Sequence, residues 1–137
     1  MSFADFGVRS FVPDSQVGEF ASHLRQGKVM ASRCRDCGHV AFPPRSGCTN
    51  CGSAAFEWIA IDEVGRLVTY TRVEYGPAGF EAELPYVLAI ARFPLGVTVF
   101  GQLSRELAQT QPHVGMPVKL AARLLANNRA SYHFVQP

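Results

Sequence analysis

The sequence predicts a mainly β protein in which an N-terminal helix and a small four-cysteine metal unit precede a five-stranded barrel. Three observations carry that prediction. The four cysteines of the 137-residue chain fall as two C-x2-C pairs, Cys34/Cys37 and Cys48/Cys51. Apolar residues ahead of them repeat with helical spacing. Behind them, short runs alternate apolar and polar residues between Gly and Pro breaks, the pattern of half-buried strands.

The elements follow in order. Phe3, Phe6, Val8, Phe11 and Val12 have no period, and such an aromatic-rich arm either frays or docks on another subunit. Asp14 or Ser15 is placed to cap a helix that carries Val17, Phe20, Ala21 and Leu24 at the i, i+3, i+4, i+7 spacing. Gly27 is its expected stop. The stripe on this helix must be covered, by its own domain or by a partner protein. Residues 1–27 are therefore the arm and helix, and residues 28–60 the metal unit. Within the latter, residues 28–33 read as a strand delivering the first cysteine pair. Phe42-Pro43-Pro44-Arg45 is too proline-rich for a central strand and suits an exposed connecting ribbon. FEWIAI, residues 56–61, is a short aromatic strand leading out.

Residues 61–137 form the barrel. Strict alternation over residues 65–75 puts Leu67, Thr69, Thr71 and Val73 on one face, and Val68, Tyr70, Arg72 and Glu74 on the other. A Gly/Pro-bounded loop at 76–85 holds an isolated Phe80. Residues 86–93 and 97–103 are two strands around the tight Pro94-Leu95-Gly96 turn. A polar stretch at 104–112 has room for one helical turn. Residues 117–125 and 131–135 supply two more strands, joined across Asn127-Asn128. Five strands, the first one long and the main break between the third and fourth, favour a small closed barrel of the OB type over a sandwich.

Cys34, Cys37, Cys48 and Cys51 are the predicted metal ligands. Two C-x2-C turns each present two thiolates, and the ten residues between the pairs let them converge on one tetrahedral ion. Gly38 and Gly52 follow the pairs directly, where a tight turn needs a positive φ. Structural zinc is the expected occupant; a rubredoxin-type iron uses the same spacing. Four thiolates leave no open position for substrate, so the site is closed and structural. With four cysteines available, His39 reads as a surface histidine. His23, His113 and His133 have no partner spacing, and no residue is assigned catalysis.

Composition narrows the rest. The longest useful apolar run is strand-sized, far short of the roughly 18 residues a membrane span needs. The opening MSFADFGVRSFVPDSQ lacks an apolar leader core, so a cytoplasmic protein with no membrane partner is expected. The formal net charge is +2, with eleven arginines and only Lys28 and Lys119 as lysines. Four thiolates on one Zn²⁺ bring the holo chain near neutrality, which leaves the electrostatic attraction expected of a nucleic-acid binder weak.

Taken together, the helix before Lys28, CRDCGHVAFPPRSGCTNCGS, Trp58, Gly65, Leu84-Pro85-Tyr86, the 114–118 run VGMPV and the closing Phe134-Val135 resemble the DUF35 family. The likeness covers about residues 14–136. Its specific part is the C-x2-C-x10-C-x2-C with FPPR between the pairs. At Glu63-Val64-Gly65 the chain keeps only the second glycine of a Gly-x-Gly step common in that family. The resemblance implies a zinc ribbon plus OB fold, acting as a non-catalytic accessory subunit of a thiolase, acyltransferase or aldolase that acts on acyl-CoA. It implies a hetero-oligomer with that thiolase-like enzyme. Arg33, Arg35 and Arg45, beside the metal unit, and Arg72 in the barrel are the candidate contacts to CoA phosphates; the first three also suit balancing a dianionic metal centre. The sequence has no G-x-S-x-G elbow, no spare cysteine and no H-E-x-x-H, as expected of a helper. The alternative is a single-stranded nucleic-acid module stacking bases on Tyr70, Tyr75 and Phe93. Glu74, Glu81 and Glu83 near those aromatics count against it.

Overall fold

The computed structural model of the chain describes residues 17–126 and 129–137. The aromatic arm, the cap expected at Asp14 or Ser15 and the Asn127-Asn128 turn lie outside the described residues. The chain divides into two compact units: one holds the described part of Met1–Ala60 with Ala122–Ser131, the other Ile61–Ala121 with Tyr132–Pro137.

In the first unit, helix α1 runs Glu19–Arg25 with Gly18 at its N-cap. Leu24 is its buried residue, while Val17, Phe20 and Ala21 are half-buried. Gly27 stops the helix as expected, with φ at +83° and its N–H on the carbonyl of Leu24 at 3.0 Å. Strand β1 (Met30–Cys34) pairs antiparallel with β2 (Val40–Ala41) on one side and β3 (Phe56–Ala60) on the other. The aromatic residues cover the helix stripe: Phe20 meets Phe42 edge-on at 5.7 Å, and His23 and Phe56 meet Trp58 at 5.2 and 5.5 Å. These contacts, with buried Val29 and Ala31, account for the apolar face within the unit itself. One expectation holds only in part: of the FPPR segment, Pro43 and Arg45 are exposed. Pro44 is buried and Phe42 half-buried, because Phe42 is needed against α1.

The second unit is built on β4 (Gly65–Val73), β5 (Tyr86–Arg92), β6 (Thr98–Gln102), helix α2 (Arg105–Ala108), and the parts of β7 (Pro117–Leu125) and β8 (Arg129–Val135) up to Ala121 and from Tyr132. The sheet order is β6-β5-β4-β7-β8. A parallel bridge between Leu103 and Phe134, with the Ser104 N–H on the Phe134 carbonyl at 2.8 Å, joins its first strand to its last. That bridge brings the two ends of the sheet together, as in the predicted barrel. Phe93 and Phe134 stack at 6.5 Å in the core, beside fully buried Leu67, Val99 and Val118. Ser104 caps α2 by accepting from the Leu107 N–H at 3.2 Å, and α2 sends Leu107 into the core. Pro94-Leu95-Gly96 forms the expected turn, with Gly96 at φ +97°.

Two further expectations shift. A bulge falls between Leu67 and Thr69: Leu67 pairs with Ala91, Thr69 with Ile90, and Val68 is the extra residue. Leu67 therefore faces the core, while Thr69, Thr71 and Val73 share the outer face with Ile90, Leu88 and Tyr86. Strict alternation fails because one inserted residue exchanges the two faces. Phe93 is buried and offers no stacking surface for a base. The lone glycine of Glu63-Val64-Gly65 has a packing reason: a Cβ there would sit 2.7 Å from Phe93 Cε1 and 2.9 Å from the Arg92 carbonyl. No helix among the described residues is long and apolar enough to cross a membrane.

Candidate metal centre

The site grows from one local motif used twice. After Cys34, the chain turns so that the Gly38 N–H reaches back to the Cys34 carbonyl at 2.9 Å; after Cys48, the Gly52 N–H reaches the Cys48 carbonyl at the same distance. The two glycines take φ of +81° and +79°, a left-handed conformation costly for other residues. Each turn is tied to the unit's backbone, by Cys34 N–H on the His39 carbonyl (2.8 Å) and Cys48 N–H on the Ser53 carbonyl (2.9 Å).

The four thiols converge, with their sulfur atoms all within 4.8 Å of one another. Cys34 Sγ lies 3.6 Å from Cys51 Sγ, and Cys37 Sγ 3.5 Å from Cys48 Sγ. Zinc held by four thiolates at about 2.3 Å places its sulfurs about 3.8 Å apart, so the donor set fits the ion. Polar N–H groups already point at the sulfurs: Asn50 N–H and Cys51 N–H on Cys48 Sγ at 3.3 and 3.4 Å, and the Asn50 side-chain amide on Cys37 Sγ at 3.5 Å. The Asn50 amide, then the His39 backbone N–H, pull the Cys37 thiol down to about 6. The Cys37 backbone N–H lowers Cys34. Cys51 gains from the Ser53 N–H, but the neighbouring Cys34 outweighs it with further burial and thiol contacts, and Cys51 is pushed up to about 12. Four such close thiols cannot all ionise without a cation among them. A bound zinc supplies that charge and a crosslink between the two turns.

His39 stays out of the ligand set; its Nε2 meets the Thr49 hydroxyl at 3.5 Å. Asn50 and the Ser53–Asp36 hydrogen bond were missed by the sequence reading. Their signal was present in retrospect: both Asn50 and Ser53 flank Cys51, where a turn directs polar groups toward sulfur. Buried Ser32, whose Oγ accepts the Arg45 N–H at 2.8 Å, was missed as well.

The four candidate arginines do not form one set. Arg33 is engaged across the sheet by Glu57, Nε to Oε1 at 3.8 Å, both half-exposed. Arg35 is exposed, and Arg45 lines a small hollow beside Cys34 and Cys48. Arg72 belongs to the second unit. It lines an open groove of about 200 Å³ with Leu84, Pro85, Val87, Arg105, Ala108 and Gln109. Arg72 Nε holds Glu74 at 3.4 Å, and Arg105 Nη2 donates to the Ala82 carbonyl at 2.7 Å. Arg105 had no sequence signal, being brought to Arg72 only by the barrel's closure over α2.

Comparison with known proteins agrees with this architecture. A family model described as "ChsH2, rubredoxin-like zinc ribbon domain" matches residues 21–57, and "ChsH2, C-terminal OB-fold domain" matches residues 58–123. A DUF35 domain-containing scaffold protein of Methanocaldococcus jannaschii is 30% identical over 119 residues, covering 85% of this chain and 84% of that protein. The benzoylsuccinyl-CoA thiolase subunit BbsA of Geobacter metallireducens is 32% identical over 75 residues, 55% of this chain and 49% of that one; the matched segment is thus about half of that relative. A chain of the Ltp2-ChsH2(DUF35) aldolase superposes with a TM-score of 0.75 at 22% identity, covering 93% of this chain and 98% of that chain, and shares the fold.

Proposed function

The chain belongs to the DUF35 family, and from that premise we propose that it is a non-catalytic, zinc-containing accessory subunit of a thiolase-superfamily enzyme acting on an acyl-CoA. The observation that carries this reading is the similarity to a benzoylsuccinyl-CoA thiolase subunit. The four converging thiols supply a structural centre rather than a reactive one, since a tetrathiolate zinc has no open position. In this reading residues 28–60 are the zinc ribbon and 61–137 the OB barrel. The protein works in the cytoplasm as part of a hetero-oligomer.

The groove beside Arg72 and Arg105 is the best-supported place for contact with acyl-CoA. Two guanidinium groups suit phosphate, and Leu84, Pro85 and Val87 give an apolar wall. A volume of about 200 Å³ is below the roughly 300–1,000 Å³ of a pocket that swallows a whole ligand. It holds one phosphate-bearing portion of CoA and leaves the acyl end to the enzyme. Arg45 beside the cysteines is better read as balancing the metal centre, and Arg33 as held by Glu57.

Affinity purification of the tagged chain from its native cell, followed by native mass spectrometry and metal analysis, tests the proposal. A stoichiometric thiolase-like subunit with one zinc per small chain supports it. A chain recovered alone, or with RNA or DNA, overturns it. Titration of CoA into the purified complex then tests the groove: Arg72→Ala and Arg105→Ala should each weaken binding about tenfold, the loss of one charged hydrogen bond.

A further inference from the structure

Part of the outer face of the β4–β5–β6 sheet is open among the described residues: Phe100 is exposed and Leu88 and Ile90 are half-buried, while Phe80 packs on Tyr86 at 6.4 Å. Along β5 the outward residues are Tyr86, Leu88, Ile90 and Arg92, alternating with buried Val87, Ala89 and Ala91. Ile90 lies directly opposite Phe100 of β6, which is 57% exposed. At one end of this apolar column Arg66 and Arg92 stand opposite each other in register. Like charges directly across a strand pair disfavour the sheet. Neither arginine has a salt bridge among the described residues; Arg66 makes one long hydrogen bond, to the Gly115 carbonyl at 3.4 Å. No outward position of the three strands carries a carboxylate. The bulge at Val68 contributes, because it turns Thr69 and Thr71 outward and leaves that flank uncharged.

We infer that this face is the docking surface for the enzyme subunit, and that the subunit presents an apolar patch bordered by carboxylates. The inference rests on the accessory-subunit reading above and adds where the partner sits and what chemistry it brings. Opposed carboxylates relieve the Arg66–Arg92 repulsion, so the pair is stabilised only when the partner is bound. Burial of Phe100, Ile90 and Leu88 supplies the apolar centre of the interface, with the arginines at its edge. Protein suits this face better than single-stranded nucleic acid. Arg66 and Arg92 are the only cations at the outward positions of these three strands, and two arginines neutralise few phosphates.

The test uses the thiolase-like subunit that co-purifies with the wild-type chain, identified by mass spectrometry and then produced separately. Its affinity is measured for wild type and for Phe100→Asp, Arg92→Glu and Tyr75→Ser, the last a control on a residue that lies outside the three strands and is 93% exposed. Zinc content and circular dichroism establish that each variant is folded. Phe100→Asp should weaken binding at least a hundredfold. Arg92→Glu should weaken it about tenfold, mainly through a slower association that added salt no longer weakens as it does for wild type. Tyr75→Ser should leave it unchanged. Hydroxyl-radical labelling of the wild-type complex should protect Phe100 and Tyr86 and leave Tyr75 labelled. Equal binding by all variants, with Phe100 still labelled, overturns the docking face while the accessory role stands. Absence of any enzyme partner overturns both. A wild-type dimer broken by Phe100→Asp assigns the face to a second copy, and salt-steep oligonucleotide binding lost in Arg92→Glu assigns it to nucleic acid; either result overturns the proposal.

Discussion

The two units are held together by different means. The first has a thin apolar core, an α1 of seven residues and a β2 of two, and its cysteine turns lie at the surface with Cys37 and Cys51 exposed. The second buries a continuous set of side chains from all five strands and α2, with Phe93, Phe134, Leu67, Val99 and Val118 fully enclosed. A small unit with so little interior depends on a crosslink, which four thiolates on one ion would supply. The barrel depends on closure instead: its stability is spread over many contacts, each joining residues far apart in sequence. Changes at the metal should therefore act all at once on the first unit, whereas changes in the barrel should be graded by the volume they remove.

The largest expected effect is at the metal. Chelation, or Cys37→Ser, should unfold the cysteine unit, because structural zinc in ribbon-like sites contributes about 10 kcal/mol or more of folding free energy. Hydrogen exchange should show β1 and β3 amides losing protection while those of β5 and β6 keep it. Uniform loss across both units would mean that they fold as one, and the comparison would fail.

Next is the barrel's closing residue. Phe134→Ala removes a fully buried ring stacked on Phe93 and should cost about 3–5 kcal/mol. Urea denaturation should report this loss with the zinc content unchanged. A smaller change is expected at Gly65→Ala. The added Cβ meets Phe93 and the Arg92 carbonyl inside 3 Å, and forcing β4 away from β5 should cost about 1–3 kcal/mol. Thermal melting checks it, and an unchanged Tm would show that the strands separate there without strain.

The smallest effect sharpens the contrast from the other side. Gly38→Ala meets no atom within 4 Å, so its cost is only the left-handed backbone, about 1–2 kcal/mol. Gly52→Ala should match it, since the two turns share φ and hydrogen bonding. Competition with a zinc chelator should report both as similar losses of metal affinity. Strongly unequal losses would mean that the two halves of the site are not equivalent.

What could be read without coordinates follows this same division. The cysteine spacing, the glycines after each pair, the Gly27 stop and the Pro94-Leu95-Gly96 turn were all legible, because each is decided by a few adjacent residues and the backbone angles they permit. The count of barrel strands was legible too, from turn residues between apolar runs. The helix was legible in kind, but its start was not: it begins at Glu19 behind a Gly18 N-cap.

Facing and convergence had to wait for the fold. The bulge at Val68 sends Leu67 inward and Thr69 outward, and alternation in the sequence carries no mark of it, since register is settled by the strand opposite. Phe93 looked available and is buried against Phe134. Arg72 meets Arg105 in one groove, and Arg66 meets Arg92 across one strand pair, although nothing in the spacing of either pair announces it. The sequence by itself thus determined the metal unit and the element list, where chain geometry acts over a few residues. Only the tertiary structure decided which side chains share a surface, because that depends on pairings between distant strands whose registers are chosen together when the barrel closes.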